Sequence, residues 1–257
     1  MNEFALGFPA LQRNLFARQG QDYDALLFGN ALYRNLGHGR FSEQAVAAGL
    51  ETLWPWGAAA GDFDADGDED LFIPSGMGYP FYYWPNQLLM NNGDGTFDER
   101  GAELGVEPPV GGVYLEDSIG GQPAPRSSRA AAVADFDGDG QLEIVTNNFN
   151  GPPYFFVNRL RHHHWVAFHL TGTWSNRDAI GARVRLWAGT RVMIRQVEPA
   201  GGYLAQSSRT IHFGLGDLAT VDSVEIRWPR GLRQTLKNPA IDALHRLREP
   251  ARSHASP

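Results

Sequence analysis

DFDADGDED at 62–70 and DFDGDGQLE at 135–143 are the two stretches on which the reading of this chain turns. Each places acidic residues at the first, third and fifth positions of a tight loop, where their carboxylates converge on one point. Glycine at the sixth position, Gly67 or Gly140, permits the sharp turn this needs. A backbone carbonyl at the seventh position and a carboxylate at the ninth complete an oxygen cage. The expected ligands are Asp62, Asp64, Asp66, the Asp68 carbonyl and Asp70 in the first loop. In the second they are Asp135, Asp137, Asp139, the Gln141 carbonyl and Glu143. Hard oxygen donors in a crowded, flexible loop suit Ca²⁺ better than Mg²⁺ or zinc, so two Ca²⁺ sites are expected. Without a cation, the four cage carboxylates of each nine-residue loop repel one another, and that arrangement occurs here twice.

An EF-hand begins in the same way but needs a bidentate Glu at its twelfth position. This chain has Ile73 and Thr146 there, and the residues that follow, LFIP and EIVTN, read as strands rather than helices. The loops therefore sit between strands. WGAAAGDFDADGDEDLFIP (56–74) and SRAAAVADFDGDGQLEIVTNN (128–148) share a small-residue approach, the acidic loop and a short apolar strand. A second repeat is interleaved with the first. LYRNLGHGRFSEQAVAAGL (32–50) matches LLMNNGDGTFDERGAELGV (88–106), and each reads as a hairpin whose second strand opens at Phe41 or Phe97. Repeats of this size indicate propeller blades or arrays. The Pro- and Gly-rich stretch 107–128 reads as an insertion.

From about residue 161 the texture changes. WVAFHLTG, ARVRLWAG, RVMIRQV, RTIHFGL and VDSVEIRW alternate apolar with polar residues between turn signals, the pattern of a small antiparallel β-sandwich or barrel. IDALHRLRE (241–249) closes it as a last strand or forms a short helix. The expected organisation is a weakly helical segment at 1–20, a repeat region at 21–160, a β-domain at 161–248 and a flexible tail at 249–257. The fold class is all-β.

Charge follows the same division. Residues 1–160 carry 8 basic and 22 acidic residues, and residues 161–257 carry 14 and 7. The whole chain has a net charge of -7, but with the eight carboxylates of the two cages set aside the remainder carries +1. The acidity thus reports the cation sites and not an acid-loving partner. The basic half is expected to pack against the acidic repeats or to bind an acidic partner, with Arg183, Arg185 and Arg195 as the test positions. No nucleic-acid module accompanies its arginines, so no nucleic acid is expected. Zero cysteines exclude a disulfide scaffold, a zinc ribbon and a thiol nucleophile. No transmembrane segment is expected, because no run approaches 18 apolar residues, and MNEFALGFPA lacks the character of a signal peptide.

The two acidic loops and the hairpin NNGDGTF (91–97) resemble the FG-GAP/VCBS repeat, whose DxDxDGxxD loop binds Ca²⁺ between strands of β-propeller blades. SNRDAIGARV (175–184), GGYLAQSS (201–208), HFGLGD (212–217) and VEIRWPRG (224–231) resemble the ASPIC/UnbV domain, which follows such repeats in the cartilage acidic protein-like family. The resemblance covers nearly all of 21–248. It implies a partial β-propeller followed by a β-domain. It also implies an extracellular, cell-surface or periplasmic protein with a binding, adhesion or scaffold role and a protein or glycan partner. It brings no catalytic residues. QDYDALLFGN (21–30) lacks a third acidic loop, so no metal is expected there, and two units and a fraction do not close a propeller. A longer chain supplying the remaining blades, or a covering partner, is the expected remedy. The alternative function is an enzyme or carbohydrate-processing accessory with its site between the repeats and the C-terminal domain.

Other motifs have plainer readings. Consecutive histidines in RHHHW (161–165) point to alternate faces of a strand and do not converge on a metal. GLGDLA (214–219) matches a dinucleotide-binding string but runs into a strand, so a hairpin turn is expected. Ser207, Ser208, His212 and Asp217 hold the residue types of a hydrolase triad without its GxSxG setting. Asn176 and Asp178 are expected to cap backbone groups in a turn relieved by Gly181. Trp54, Trp56, Tyr79, Phe81, Tyr82, Tyr83 and Trp84 are expected mainly in a blade core.

Overall fold

The computed structural model describes residues 30–52, 55–75, 86–106, 115–119, 122–125, 127–149 and 152–251. The described residues contain no helix, and none is long and apolar enough to cross a membrane. The chain divides into two compact units, 1–53 and 54–257. In the first, β1 (Tyr33–Gly37) pairs antiparallel with β2 (Arg40–Glu43). Gly37, His38 and Gly39 all have positive φ at the turn, and glycine takes this conformation without a Cβ clash.

The second unit opens with an antiparallel meander. It comprises β3 (Ala59–Gly61), β4 (Asp70–Ile73), β5 (Gln87–Asn91) and β6 (Phe97–Glu99), hydrogen-bonded in that order. The first acidic loop joins β3 to β4, and the glycine hairpin 91–97 joins β5 to β6. The two interleaved repeats are thus consecutive halves of one four-stranded sheet, the unit of a propeller blade. Next, β7 (Leu115–Ile119) and β8 (Gln122–Pro125) form a hairpin. A second meander holds β9 (Ser127–Ala134), β10 (Glu143–Phe149) and β11 (Tyr154–Phe156), with the second acidic loop joining β9 to β10. The small-residue approach to each loop has a packing cause. A Cβ at Gly61 would meet Phe63, Val133 and Leu142 at 3.1–3.2 Å, and Ala59, Phe72, Leu88, Ala131, Val133 and Ile144 share one core.

The remaining strands form two sheets. One has the order β15 (Ile211–Gly216), β12 (His164–Thr171), β18 (Ala243–Arg248). The other has the order β14 (Arg191–Gln196), β13 (Arg183–Ala188), β16 (Ser223–Arg227), β17 (Arg233–Lys237). Their inward residues alternate along each strand and close on Phe168, Val184, Leu186, Phe213, Ile226 and Trp228, all at most 1% exposed. Each such side chain contributes about 1.5–3 kcal/mol by leaving water. This is a sandwich with open edges, and it departs from the expected antiparallel form in one strand. β18 runs parallel to β12, because after β17 the chain crosses from the other sheet and returns beside the domain's first strand.

The tail expected from 249 does not begin there. Glu249 is 2% exposed, and its Oε2 accepts hydrogen bonds from the Thr173, Trp174 and Ser175 amides at 2.9, 2.9 and 2.7 Å. Residues 252–257, the helical segment expected within 1–20, and Trp54, Tyr79, Phe81, Tyr82, Tyr83 and Trp84 lie outside the described residues. Trp56 is described, 5.2 Å from the Tyr203 ring and beneath the Arg129 guanidinium.

Candidate metal centre

The two acidic loops are built alike. In the first, the Asp62 Oδ2 accepts from the Gly67 amide at 3.0 Å, and Asp64 and Asp66 accept from the amides two residues on. In the second, the Asp135 Oδ2 accepts from the Gly140 amide at 3.1 Å, with Asp137 and Asp139 in the same roles. The ninth-position carboxylate braces each loop from behind. Asp70 Oδ2 accepts from the Phe63 amide at 2.8 Å, and Glu143 Oε2 from the Phe136 amide at 2.9 Å. These short-range bonds turn the chain back on itself and aim the remaining carboxylate oxygens inward.

Asp62, Asp64 and Asp66 bring ligand atoms within 4.8 Å of one another, as do Asp135, Asp137 and Glu143. Asp70 and Asp139 stand outside these trios. Both Asp70 oxygens are occupied by amides, the second by Asn91 at 2.8 Å. The Asp68 side chain turns to Arg191 at 3.1 Å and the Gln141 side chain to the Leu160 carbonyl at 3.0 Å, so only their backbone carbonyls remain for a cage. Each loop also leaves one buried carboxylate oxygen without a hydrogen-bond partner, Asp62 Oδ1 in the first and Glu143 Oε1 in the second. Burying such an acceptor unpaired is costly, and a hard cation is the partner that an all-oxygen set fits.

Electrostatics agree with the geometry. Burial pushes the Asp62 carboxyl up to about 8, with Asp66 and Asp70 adding to the rise and the Gly214 amide opposing it. Burial likewise raises Asp70 to about 7. Asp64, Asp135 and Glu143 are displaced upward, each chiefly by burial. A divalent cation among them would replace the stabilisation of negative charge that burial takes away with the water.

The C-terminal sandwich touches both loops. Asp62 Oδ2 accepts from the Gly214 amide at 2.8 Å, and the Gly216 amide donates to the Ala65 carbonyl at 2.8 Å. Gly214 must lack a side chain, since a Cβ there would lie 2.3 Å from the Ala65 carbonyl carbon. Arg191 donates to the Asp66 carbonyl and pairs with Asp68, while Arg195 donates to the Gly67 carbonyl at 3.2 Å and pairs with Glu69 at 3.2 Å. At the second loop, His212 donates from Nε2 to the Gly140 carbonyl at 2.8 Å, and the Trp165 ring stacks on His212. Burial lowers His212 to about 4, which keeps it neutral. Asn158 ties the loops together, donating to the Phe63 carbonyl at 2.7 Å and the Leu142 carbonyl at 3.2 Å. Asn158→Ala is expected to cost about 1–2 kcal/mol in denaturant unfolding, from two unsatisfied carbonyls.

Of the arginines singled out from the charge division, only Arg195 reaches the repeats. Arg183 bonds Gln196, and Arg185 lies over Trp187. Arg191 and Asn158 carry no motif of their own, and the motifs that contain Gly214 do not report its contact, although a glycine inside a strand pattern does signal a close backbone approach. The remaining motif residues are engaged separately. Ser207 accepts from the Val133 amide at 3.1 Å, Ser208 accepts from the Thr210 amide, and Asp217 faces Arg161 and His163 at 3.5 Å. The histidines of 162–164 go to three different carboxylates, Asp139, Asp217 and Asp242. Asn176 holds both backbone groups of Ile180 as a turn residue, while Asp178 pairs with Arg209 at 2.8 Å. Gly214 lies in β15, and Gly216, at positive φ, opens the turn that follows.

Comparison with known families places names on these parts. A model of the FG-GAP-like repeat matches residues 15–73, which include the first acidic loop, and a model described as ASPIC and UnbV matches residues 172–254. The chain carries an FG-GAP-like repeat and an ASPIC/UnbV domain. The second acidic loop lies outside both matches and stands on its likeness to the first. Cartilage acidic protein 1 of Homo sapiens is 30% identical over 106 residues, 41% of this chain and 13% of that protein. Its Xenopus tropicalis counterpart is 33% identical over 101 residues, 39% of this chain and 12% of its own length. The chain therefore matches about an eighth of the length of these relatives. In structural terms, the ASPIC/UnbV domain presents Gly214 and Gly216 from HFGLGD to the first loop and Ser207 from GGYLAQSS to β9.

Proposed function

We propose that the chain is a Ca²⁺-stabilised binding or adhesion module of an extracytoplasmic scaffold protein, with a protein or glycan partner. The observation that carries this reading is the paired construction of the loops, each with three convergent carboxylates and one buried oxygen lacking a partner. Asp62, Asp64 and Asp66 would hold one ion, with the Asp68 carbonyl, and Asp135, Asp137 and Glu143 the other, with the Gln141 carbonyl. Asp70, whose two oxygens are held by the Phe63 and Asn91 amides, braces its loop instead of joining the ligand set, and Asp139 stands outside the second trio. The ions supply charge neutralisation and loop rigidity, and affinities in the roughly 0.1–1 mM range of extracellular modules are expected. The likeness to cartilage acidic protein 1 supports an extracellular setting.

Titration calorimetry with CaCl₂ tests this directly. Two sites are expected in the native chain, one in Asp64→Ala or Asp137→Ala, and none in the double variant. A native chain that takes up no Ca²⁺ overturns the reading.

A second reading rests on a cavity of about 680 Å³ between the repeats and the ASPIC/UnbV domain. Asp62 and Asp135 line it from one side and Arg195, Arg209 and His212 from the other. Its mixed charge suits a polar ligand such as a sugar, the setting an enzyme or carbohydrate-processing accessory would use.

A further inference from the structure

We infer that the first acidic loop is a two-domain cation site, in which cation occupancy and docking of the ASPIC/UnbV domain stabilise one another through Asp62. The inference rests on the Ca²⁺ reading above and adds a coupling that the reading does not require. One carboxylate carries both contacts. Asp62 is 3% exposed and belongs to the convergent trio; its Oδ1 has no partner, while its Oδ2 accepts from Gly67 within the loop and from Gly214 across the domain boundary. A cation on Oδ1 fixes the plane of the carboxylate, and that plane sets where Oδ2 meets the Gly214 amide.

The rest of the junction reads the same loop conformation. Gly216 takes the Ala65 carbonyl, Arg191 the Asp66 carbonyl and Arg195 the Gly67 carbonyl. Three successive loop carbonyls are thus held by the C-terminal domain, in the segment whose turn carries Asp64, Asp66 and the Asp68 carbonyl towards the cation. The two guanidinium groups pair with Asp68 and Glu69, whose side chains lie outside the convergent trio. They grip the loop through side chains outside the trio, and Arg195 also lies near enough to Asp62 to oppose the rise of its carboxyl. Ala65 itself sits at a φ of 55°, a conformation an L-residue adopts only when its surroundings hold it. Tight contact at Gly214 makes the junction intolerant of a second loop shape, since the backbones meet with no room for a Cβ. Two ligands that favour one conformation of a shared element must favour each other's binding by the same factor.

Amide exchange by NMR on the full chain, in Ca²⁺ and in EDTA, tests the coupling. The Gly214 and Gly216 amides are expected to exchange roughly five- to a hundredfold more slowly with Ca²⁺, the usual range of such coupling. The Val184 and Ile226 amides, inside the sandwich, report global unfolding and separate it from the local opening that exposes Gly214 and Gly216. The reciprocal arm uses the charge-neutral pair Arg195→Gln with Glu69→Gln in an Asp137→Ala background, where only the first loop binds. Its Ca²⁺ affinity is expected to fall by a similar factor, while the same pair in an Asp64→Ala background leaves the second loop's affinity unchanged. Equal Gly214 and Gly216 exchange in both conditions, in a chain that calorimetry finds loaded with two ions, overturns the coupling and leaves the Ca²⁺ reading standing. A chain that binds no Ca²⁺ overturns both. Should the double variant fail to fold, the exchange arm on the native chain decides alone.

Discussion

In about 10 mM Ca²⁺ the chain is expected to melt roughly 10 °C higher than in excess EDTA, and Asp64→Ala with Asp137→Ala removes the gain. A ligand that binds only the folded state stabilises by RT ln(1 + [L]/Kd). With dissociation constants of roughly 0.1–1 mM, each site contributes about 1.4–2.7 kcal/mol at that concentration, or about 3–5 kcal/mol for two. Each kcal/mol moves the midpoint of a chain this size by about 2–4 °C. The effect is large because the apo loops bury carboxylates together, as the upward displacement of Asp62, Asp64, Asp70, Asp135 and Glu143 records. Mg²⁺ at the same concentration is expected to do much less, since it dehydrates reluctantly and demands octahedral geometry. Differential scanning calorimetry reads all three conditions, and superimposable melts in Ca²⁺ and EDTA would count against both sites.

Glu249→Ala is expected to destabilise the chain by about 3 kcal/mol, the second-largest single effect, because charged acceptors contribute about 1.5–3 kcal/mol per hydrogen bond and their donors are left unpaired. The carboxylate closes a nest of three consecutive amides, Thr173 to Ser175, and its Oε1 accepts from the Ser175 hydroxyl at 2.8 Å. Burial acts to raise its pKa, but the bonds from Ser175, Thr173 and Trp174 together outweigh burial and hold it below the ordinary glutamate value of 4.5. A carboxylate lowered in the folded state stabilises fully above the unfolded value, and that contribution is lost as pH falls through the folded value. The difference between native chain and Glu249→Ala in urea unfolding should therefore be constant near neutrality. It should begin to shrink once pH drops below about 4.5. A gap that stays fixed down to the acid limit would mean the carboxylate's charge plays no part.

Much of the fold is legible in the sequence because its signals are local. Asp at alternate positions, Gly at the sixth and an apolar strand afterwards specify each loop without reference to distant residues, and the structure brings Asp62, Asp64 and Asp66 together accordingly. The paired glycines of 37–39 and 93–95 specify their hairpins in the same way, through positive φ. The period-two strands of 164–248 place Val184, Leu186 and Ile226 inward because alternation alone assigns a face. Glu249 was illegible for the complementary reason. Its partners lie 74–76 residues away, and a charged residue after the last strand carries no local mark of burial.

What the sequence alone determines, then, is the all-β class, the places of the two acidic loops between strands, and the change in character near residue 161. Only the tertiary structure decides that the loops are also a junction. Gly214, Arg191 and Arg195 follow Asp62 by more than a hundred residues, and nothing in their own neighbourhoods reports which backbone they will meet. A contact between strands from different sheets depends on how both fold, so its partners are fixed only once the whole sandwich and the meander exist. The charge difference between the halves hints at an attraction, yet attraction has no register. It is the short reach of a hydrogen bond and the missing Cβ at Gly214 that select one loop, one carboxylate and one oxygen of Asp62.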